Sequence, residues 1–171
     1  MKSATHADPL PTLELERFLP YRLSVLANTM SAAIAAVYAE RFALTIPEWR
    51  VLAVLALQPG LSAAQVADRT AMDKVAVSRA VAALARARRV ERCVEESDRR
   101  RTQLRLTARG EAVYREVVPL ARAYEDAVLR GVPTRSRLKL NSLLDELQRR
   151  ARSLRALRLP PDPRPARTPG D

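Results

Sequence analysis

The chain has 171 residues, 47% of them hydrophobic and only 4% aromatic, and carries a formal net charge of +11. This length suits one domain with arms, and a composition led by Ala, Leu, Val and Arg favours helices over sheets. One cysteine, Cys93, excludes an internal disulfide framework or a cysteine-rich zinc site, and one histidine, His6, leaves histidine chemistry almost nothing to work with. No stretch reads as a membrane span or a signal peptide, so a cytoplasmic protein without membrane contact is expected.

Residues 1–18 contain Pro9 and Pro11 without strong periodicity and are expected to form an arm. From Pro20 a helix is predicted, because proline is tolerated in a first turn. Leu19, Leu23, Leu26, Met30, Ala33 and Val37 recur at spacings of three and four, a narrow stripe that runs to about Arg41. In TIPE, residues 45–48, Thr45 can cap a second helix and Glu48 can close a capping box. Trp49, Leu52, Val54 and Leu55 give that helix a broad apolar surface, and Pro59 and Gly60 stop it. LSAAQV, residues 61–66, is another start signal: Ser62 at the N-cap, Gln65 three residues on, and Leu61 with Val66 as a hydrophobic staple. This short helix is predicted to end near Arg69–Thr70.

A further helix starts at Asp73. KVAVSRAVAALARAR puts Val77, Val81 and Leu84 on one face and leaves Lys74, Ser78, Arg79 and Arg86 away from it. Residues 90–106 then shift to a shorter period around the charged run EESDRRRTQ (95–103), which predicts a two-strand hairpin. Thr107 is placed to cap a long helix ending at Gly131, with Pro133 just beyond. Thr134 begins a last helix whose Leu140, Leu144, Leu147, Ala151 and Leu154 form a heptad-like seam. The tail from Leu159, with PPDPRPARTPG, is proline-rich and basic, and disorder is expected there.

The charge lies in two blocks. Residues 1–60 are neutral, with five basic and five acidic groups, whereas residues 73–109 and 134–171 each carry a net +6. Such a balance implies a polyanionic partner. The element order adds its meaning: a helix-turn-helix followed by a hairpin wing. A major groove admits one helix, and such a helix needs an apolar inner face and short polar or cationic side chains outward near its N-terminus. Lys74, Ala76, Ser78 and Arg79 are expected outward and Val77 inward. Arg79 would meet a guanine or a phosphate, and Ala76 would allow close approach to a base. The three adjacent arginines at the hairpin tip suit the narrow, negative minor groove of A·T-rich DNA.

The stretch DRRRTQLRLTARG (98–110), with FLPYRLSVLA (18–27) and LTIPEWRVLAVL (44–55), resembles the MarR family of winged helix-turn-helix transcription regulators over residues 18–155. The resemblance implies a mainly α fold with a small β-hairpin wing: an arm at 1–18, an N-terminal dimerisation helix at 19–44, a winged helix-turn-helix DNA-binding lobe at 45–109, C-terminal dimerisation helices at 110–158, and a basic tail at 159–171. It implies a homodimer on a palindromic operator in double-stranded DNA, more often a repressor, released by a small aromatic or phenolic acid. It makes Asp98 the brace of the wing, Arg100 the minor-groove arginine, and Arg99 and Arg101 backbone contacts or supports. One departure stands out. Where the family often has Gly after the recognition helix this chain has Arg88, then Arg89. A left-handed cap at a non-glycine residue costs roughly 1 kcal/mol; otherwise the helix ends differently or these arginines meet phosphate.

Blander roles compete at several positions. Capping accounts for Ser62 and Gln65, and is compatible with a phosphate contact at the same helix start. Tyr21, Tyr38 and Trp49 suit packing or the stacking of a ligand, and Arg22 and Arg50 suit salt bridges or a ligand carboxylate. Cys93 reads as a small strand residue, with a redox switch as the alternative. No nucleophile–base pair, metal cluster or Gly-rich phosphate loop is visible, so neither an enzyme nor a cofactor is expected. A nonspecific architectural DNA-binding protein is the rival reading.

Overall fold

Side-chain caps decide where the helices of the central lobe begin. In the computed structural model, which describes residues 12–94 and 102–156, the Thr45 hydroxyl accepts from the Glu48 N–H while the Glu48 carboxylate accepts from the Thr45 N–H, which opens α2 (Ile46–Leu57). Ser62 and Gln65 exchange the same pair of bonds at the start of α3 (Ala63–Thr70). Asp73 Oδ1 accepts from the N–H groups of Val75 and Ala76, both at 2.9 Å, and opens α4 (Lys74–Arg86). Each cap satisfies donors that a helix start leaves without partners. Before them runs α1 (Leu19–Phe42), with proline in its first turn and no side-chain cap.

Three helices, α1, α3 and α4, end on left-handed residues that are not glycine. Ala43 closes α1 at φ +48° and Ala71 closes α3 at φ +54°. After α4 the left-handed residue is Arg88, at φ +54°. Two bonds complete its loop: the Arg88 N–H to the Ala85 carbonyl at 3.0 Å and the Arg89 N–H to the Leu84 carbonyl at 2.9 Å. That is a Schellman closure with arginine where glycine is usual. The helix therefore closes as it would with glycine at this place, and the chain bears the strain.

Strands β1 (Val90–Val94) and β2 (Thr102–Leu106) pair antiparallel, from Val90 opposite Leu106 to Val94 opposite Thr102. The wing is anchored by an unexpected third segment. The Gly60 N–H donates to the Leu104 carbonyl and the Leu104 N–H to the Leu61 carbonyl, both at 2.9 Å. Gly60 holds φ +86°, and an added Cβ would crowd Gln103 Oε1 at 3.1 Å. Residues 95–101, including Asp98, Arg99, Arg100 and Arg101, lie outside the described residues, as do 1–11 and 157–171 with most of the expected arm and the basic tail.

From Thr107 the chain enters α5 (Ala108–Val128); the Thr107 hydroxyl accepts from the Gly110 N–H at 3.1 Å and donates to the Arg88 carbonyl at 2.7 Å. One core joins these pieces. It comprises Val51, Leu52 and Leu55 of α2, Val66 of α3, Val77, Val81 and Leu84 of α4, Val90 and Leu104 of the hairpin, Val113 and Val117 of α5, and Tyr38 with Leu44 at the end of α1. Burying each large aliphatic side chain contributes about 1.5–3 kcal/mol before chain entropy is charged against it.

One expectation is corrected in α1. By length and composition alone its 24 residues could cross a membrane. The reason is the seventeen uncharged residues between Arg22 and Glu40, rich in alanine, where no long run of large apolar side chains draws the eye. The last turns of this helix nonetheless pack through Ile34, Ala35, Tyr38 and Phe42 on the lobe's core.

The chain divides into two compact units, to Asp126 and from Ala127. The second holds the end of α5, a turn at Gly131 (φ +80°), and α6 (Thr134–Ala156). Helix α5 stops at Val128, one turn before the expected Gly131. Arg137 pins that turn by donating to the carbonyls of Val132 and Leu129 at 2.9 and 2.7 Å.

Gly110 is required where it stands, because an added Cβ would lie 2.0 Å from the Arg89 carbonyl oxygen. Gly110→Ala is expected to cost about 1–3 kcal/mol through forced overpacking, whereas Arg88→Gly should gain about 1 kcal/mol by relieving the left-handed arginine. Urea denaturation of the two variants checks both signs.

Candidate nucleic-acid interface

Helix α4 carries the candidate surface, and its orientation follows from its apolar spacing. Val77, Ala80, Val81 and Leu84 are buried and fix the inner face. At 100° per residue the opposite face falls on Val75, Ser78, Arg79, Ala82 and Arg86. Lys74, Val75, Ser78, Arg79 and Arg86 are exposed, while Ala76 is half-buried on the flank. Ala76 is thus less outward than its place among polar neighbours suggests.

Val75 is the residue that sequence reasoning missed. Its side chain is 59% exposed in the first turn of α4. The signal was available, since Val75 lies about 200° around the helix from Val77, but an apolar residue invites assignment to the core. An exposed valine between two cations is poorly explained by solvation alone; it suits an apolar contact such as a thymine methyl.

The cations are not used up internally. Among the described residues, Lys74, Arg79 and Arg86 take part in no ion pair, whereas Arg17, Arg41, Arg115, Arg149 and Arg150 do. Asp73 spends Oδ1 on the helix start, which neutralises the end of α4 without covering its outer face. On α3, Ser62 and Gln65 are engaged in their capping box, with Gln65 exposed. Arg92 and Arg105 are exposed on the hairpin, and Cys93 is half-buried between Arg92 and Val94.

The residues expected to hold a small ligand do not form one group. Tyr21 and Arg22 stand exposed near the start of α1, seventeen positions from Tyr38 in the case of Tyr21. That is roughly 25 Å along a helix. Tyr38 is 1% exposed and belongs to the core. Burial raises its phenol pKa above the usual value, and the nearby Arg50 charge opposes that shift. Trp49 lies between two tyrosines, its ring 5.9 Å from Tyr38 and 5.8 Å from Tyr114, the latter pair stacked at 22°. Arg50 donates to the Ser31 hydroxyl at 3.3 Å.

An open cleft of ≈ 430 Å³ lies instead beside Tyr114, lined by Leu55, Pro59, Arg105, Leu106 and Arg115 among others. Arg115 is held by Glu111 at 2.8 Å, whereas Arg105 has no carboxylate partner among the described residues. Two stretches distant in sequence, 55–59 and 105–115, build this cleft, so no local pattern announces it.

Comparison with known proteins gives this arrangement a context. The sequence profile of the MarR family matches residues 44–101. The HTH-type transcriptional repressor Rv2887 of Mycobacterium tuberculosis is 30% identical over 131 residues, covering 76% of this chain and 91% of that protein. A MarR/EmrR family transcriptional regulator from Acinetobacter sp. ADP1 superposes with a TM-score of 0.76 at 25% identity, over 82% of this chain and 99% of that one. The repressor CouR, solved bound to a 23-mer DNA duplex, superposes with a TM-score of 0.69 at 24% identity, over 82% and 99%.

If the outer face of α4 meets phosphate, Lys74→Ala and Arg79→Ala should each weaken duplex binding. A residue that only touches phosphate should also reduce the slope of log K against log salt by about 1. Fluorescence anisotropy across a salt series reads both quantities.

Proposed function

Because the chain belongs to the MarR family of transcription regulators, we propose that it is a ligand-responsive repressor acting as a homodimer on a palindromic operator in the cytoplasm. The observation that carries this reading is the outer face of α4, where Lys74, Val75, Ser78 and Arg79 stand exposed on a capped, core-anchored helix. Each protomer would lay that face in the major groove of one half-site. Val75 would read a thymine methyl and Arg79 a guanine edge or a phosphate. The start of α3, with Ser62 and Gln65, would lie against the backbone. The wing would bring Arg100 to the minor groove, with Asp98 bracing it and Arg99 and Arg101 beside it, as the family resemblance implies.

The domain plan follows the same logic. Residues 19–44 and 110–158 would join two copies, the lobe at 45–109 would bind DNA, and 1–18 and 159–171 would be appendages. Support comes from apolar side chains left exposed within one chain. On α1 these include Leu19, Leu23, Val25 and Leu26, and on α6 Leu140, Leu143, Leu144, Leu147 and Leu154. A monomer rarely leaves so much apolar surface in contact with water.

The effector we propose is a small aromatic acid in the cleft beside Tyr114, its ring against Leu55 and Leu106 and its carboxylate on Arg105. The ring contacts from Tyr114 through Trp49 to Tyr38 would carry its presence to the end of α1. Benzoate serves as a first probe in calorimetry, and Arg105→Ala is expected to weaken its binding by about 1.5–3 kcal/mol.

A nonspecific architectural binder is the second reading, favoured by the net charge of +11. The two separate cleanly. A specific repressor selects a two-fold symmetric duplex from a random pool and resists competition by unselected DNA; the architectural protein does neither. On the selected duplex, Val75→Ala should cost about 1 kcal/mol, and replacing the contacted thymine by deoxyuridine should make wild type and variant equal. Arg100→Ala should cost about 1–3 kcal/mol with the dimer intact by light scattering.

A further inference from the structure

Arg89 stands where α1, α4, β1 and α5 converge. Its Nη2 donates to the carbonyl of Phe42, the last residue of α1, at 2.6 Å. Its Nε is buried without a partner. Its own carbonyl accepts the Thr107 N–H at 3.1 Å and lies against Gly110 of α5, where no Cβ would fit. Its N–H closes the end of α4. The left-handed turn at Arg88 sets the chain direction on which these contacts depend.

We propose that Arg89 is a positioning residue that fixes the angle between α1 and the recognition helix α4, and thereby the half-site spacing the protein accepts. The terminal carbonyls of a helix lack intrahelical partners and carry the negative end of its dipole. A guanidinium delivered to such a carbonyl makes a charge-assisted bond, and in a half-buried place water screens it little. Removing it would leave the Phe42 carbonyl without this donor and loosen one of the contacts that hold the end of α1 against α4. In a dimer joined through α1, that angle sets the separation of the two recognition helices. The inference rests on the homodimer reading above.

The test uses the full chain and a duplex selected by it from a random pool. Companion duplexes have one base pair inserted or removed between the half-sites, which shifts one of them by roughly 3.4 Å and turns it about 34°. Wild type is expected to lose about tenfold or more in affinity on either companion. Arg89→Met keeps the length of the stem and removes the charged donor. It should shrink that penalty to about threefold or less, because a loosened joint tolerates altered spacing. If Arg89→Met binds all three duplexes more weakly by one common factor, Arg89 merely stabilises the fold and the inference is overturned. If wild type itself ignores spacing, the two-half-site reading falls first and this inference with it. Arg89→Gln is judged by the same criterion should Arg89→Met not fold.

Discussion

The chain must reverse direction within three residues after α4, and most of the lobe depends on how it does so. The polypeptide leaves α4 at Arg86 and enters β1 at Val90. A left-handed residue 88 is what makes the reversal possible, and the two Schellman bonds hold it. The reversal presents the carbonyls of Arg88 and Arg89 to the start of α5, where Thr107 takes both, one through its hydroxyl and one through its N–H. Gly110 then closes against the second carbonyl. The hairpin is thus clamped at its root, with both strand ends fixed by the same few atoms. Stiffness at the root is what a charged hairpin needs if its tip is to meet a defined point on a partner.

Local chemistry made much of this fold readable in advance. Thr45 with Glu48, Ser62 with Gln65, and Asp73 each cap a helix through bonds within three residues, so their spacing alone reveals them. The buried face of α4 is equally periodic. Other features depend on partners far along the chain. The pairing of Gly60 and Leu61 with Leu104 spans more than forty positions, and nothing in either segment names the other. The cleft likewise sets the end of α2 and Pro59 against the distant stretch 105–115. Tyr21 and Tyr38 look alike in sequence, yet a straight helix sets them about 25 Å apart. Val75 was legible by phase but disguised by its chemistry. Arg88 was visible as a departure, and only the backbone decided between a strained cap and a different helix end.

Charge needs the same care. A net +11 explains attraction to a polyanion and says nothing about register. Discrimination requires groups held at fixed places, and α4 holds them by burying four residues of its opposite face. The absence of ion pairs at Lys74, Arg79 and Arg86 among the described residues matters here. A cation already paired must give up its partner before meeting phosphate, and that exchange consumes much of the gain.

Helix α1 divides its labour along its length. Its first turns expose Leu19, Leu23, Val25 and Leu26, and its last turns bury Tyr38 and pack Phe42 on the core. Three independent contacts converge on residues 38–42: the tilted ring contact of Tyr38 with Trp49, the Arg41–Glu116 pair at 2.7 Å, and the Arg89 bond to Phe42. The exposed ion pair contributes little energy by itself. Its value is geometric, because α5 and the α4–β1 joint grip the same turn from different elements. Under the proposed assembly, a displacement at the Tyr114 cleft would reach α1 through packed aromatic rings rather than through a loop. In that assembly α1 would carry a small rotation at its end into a larger movement at the distant turns where two copies would meet.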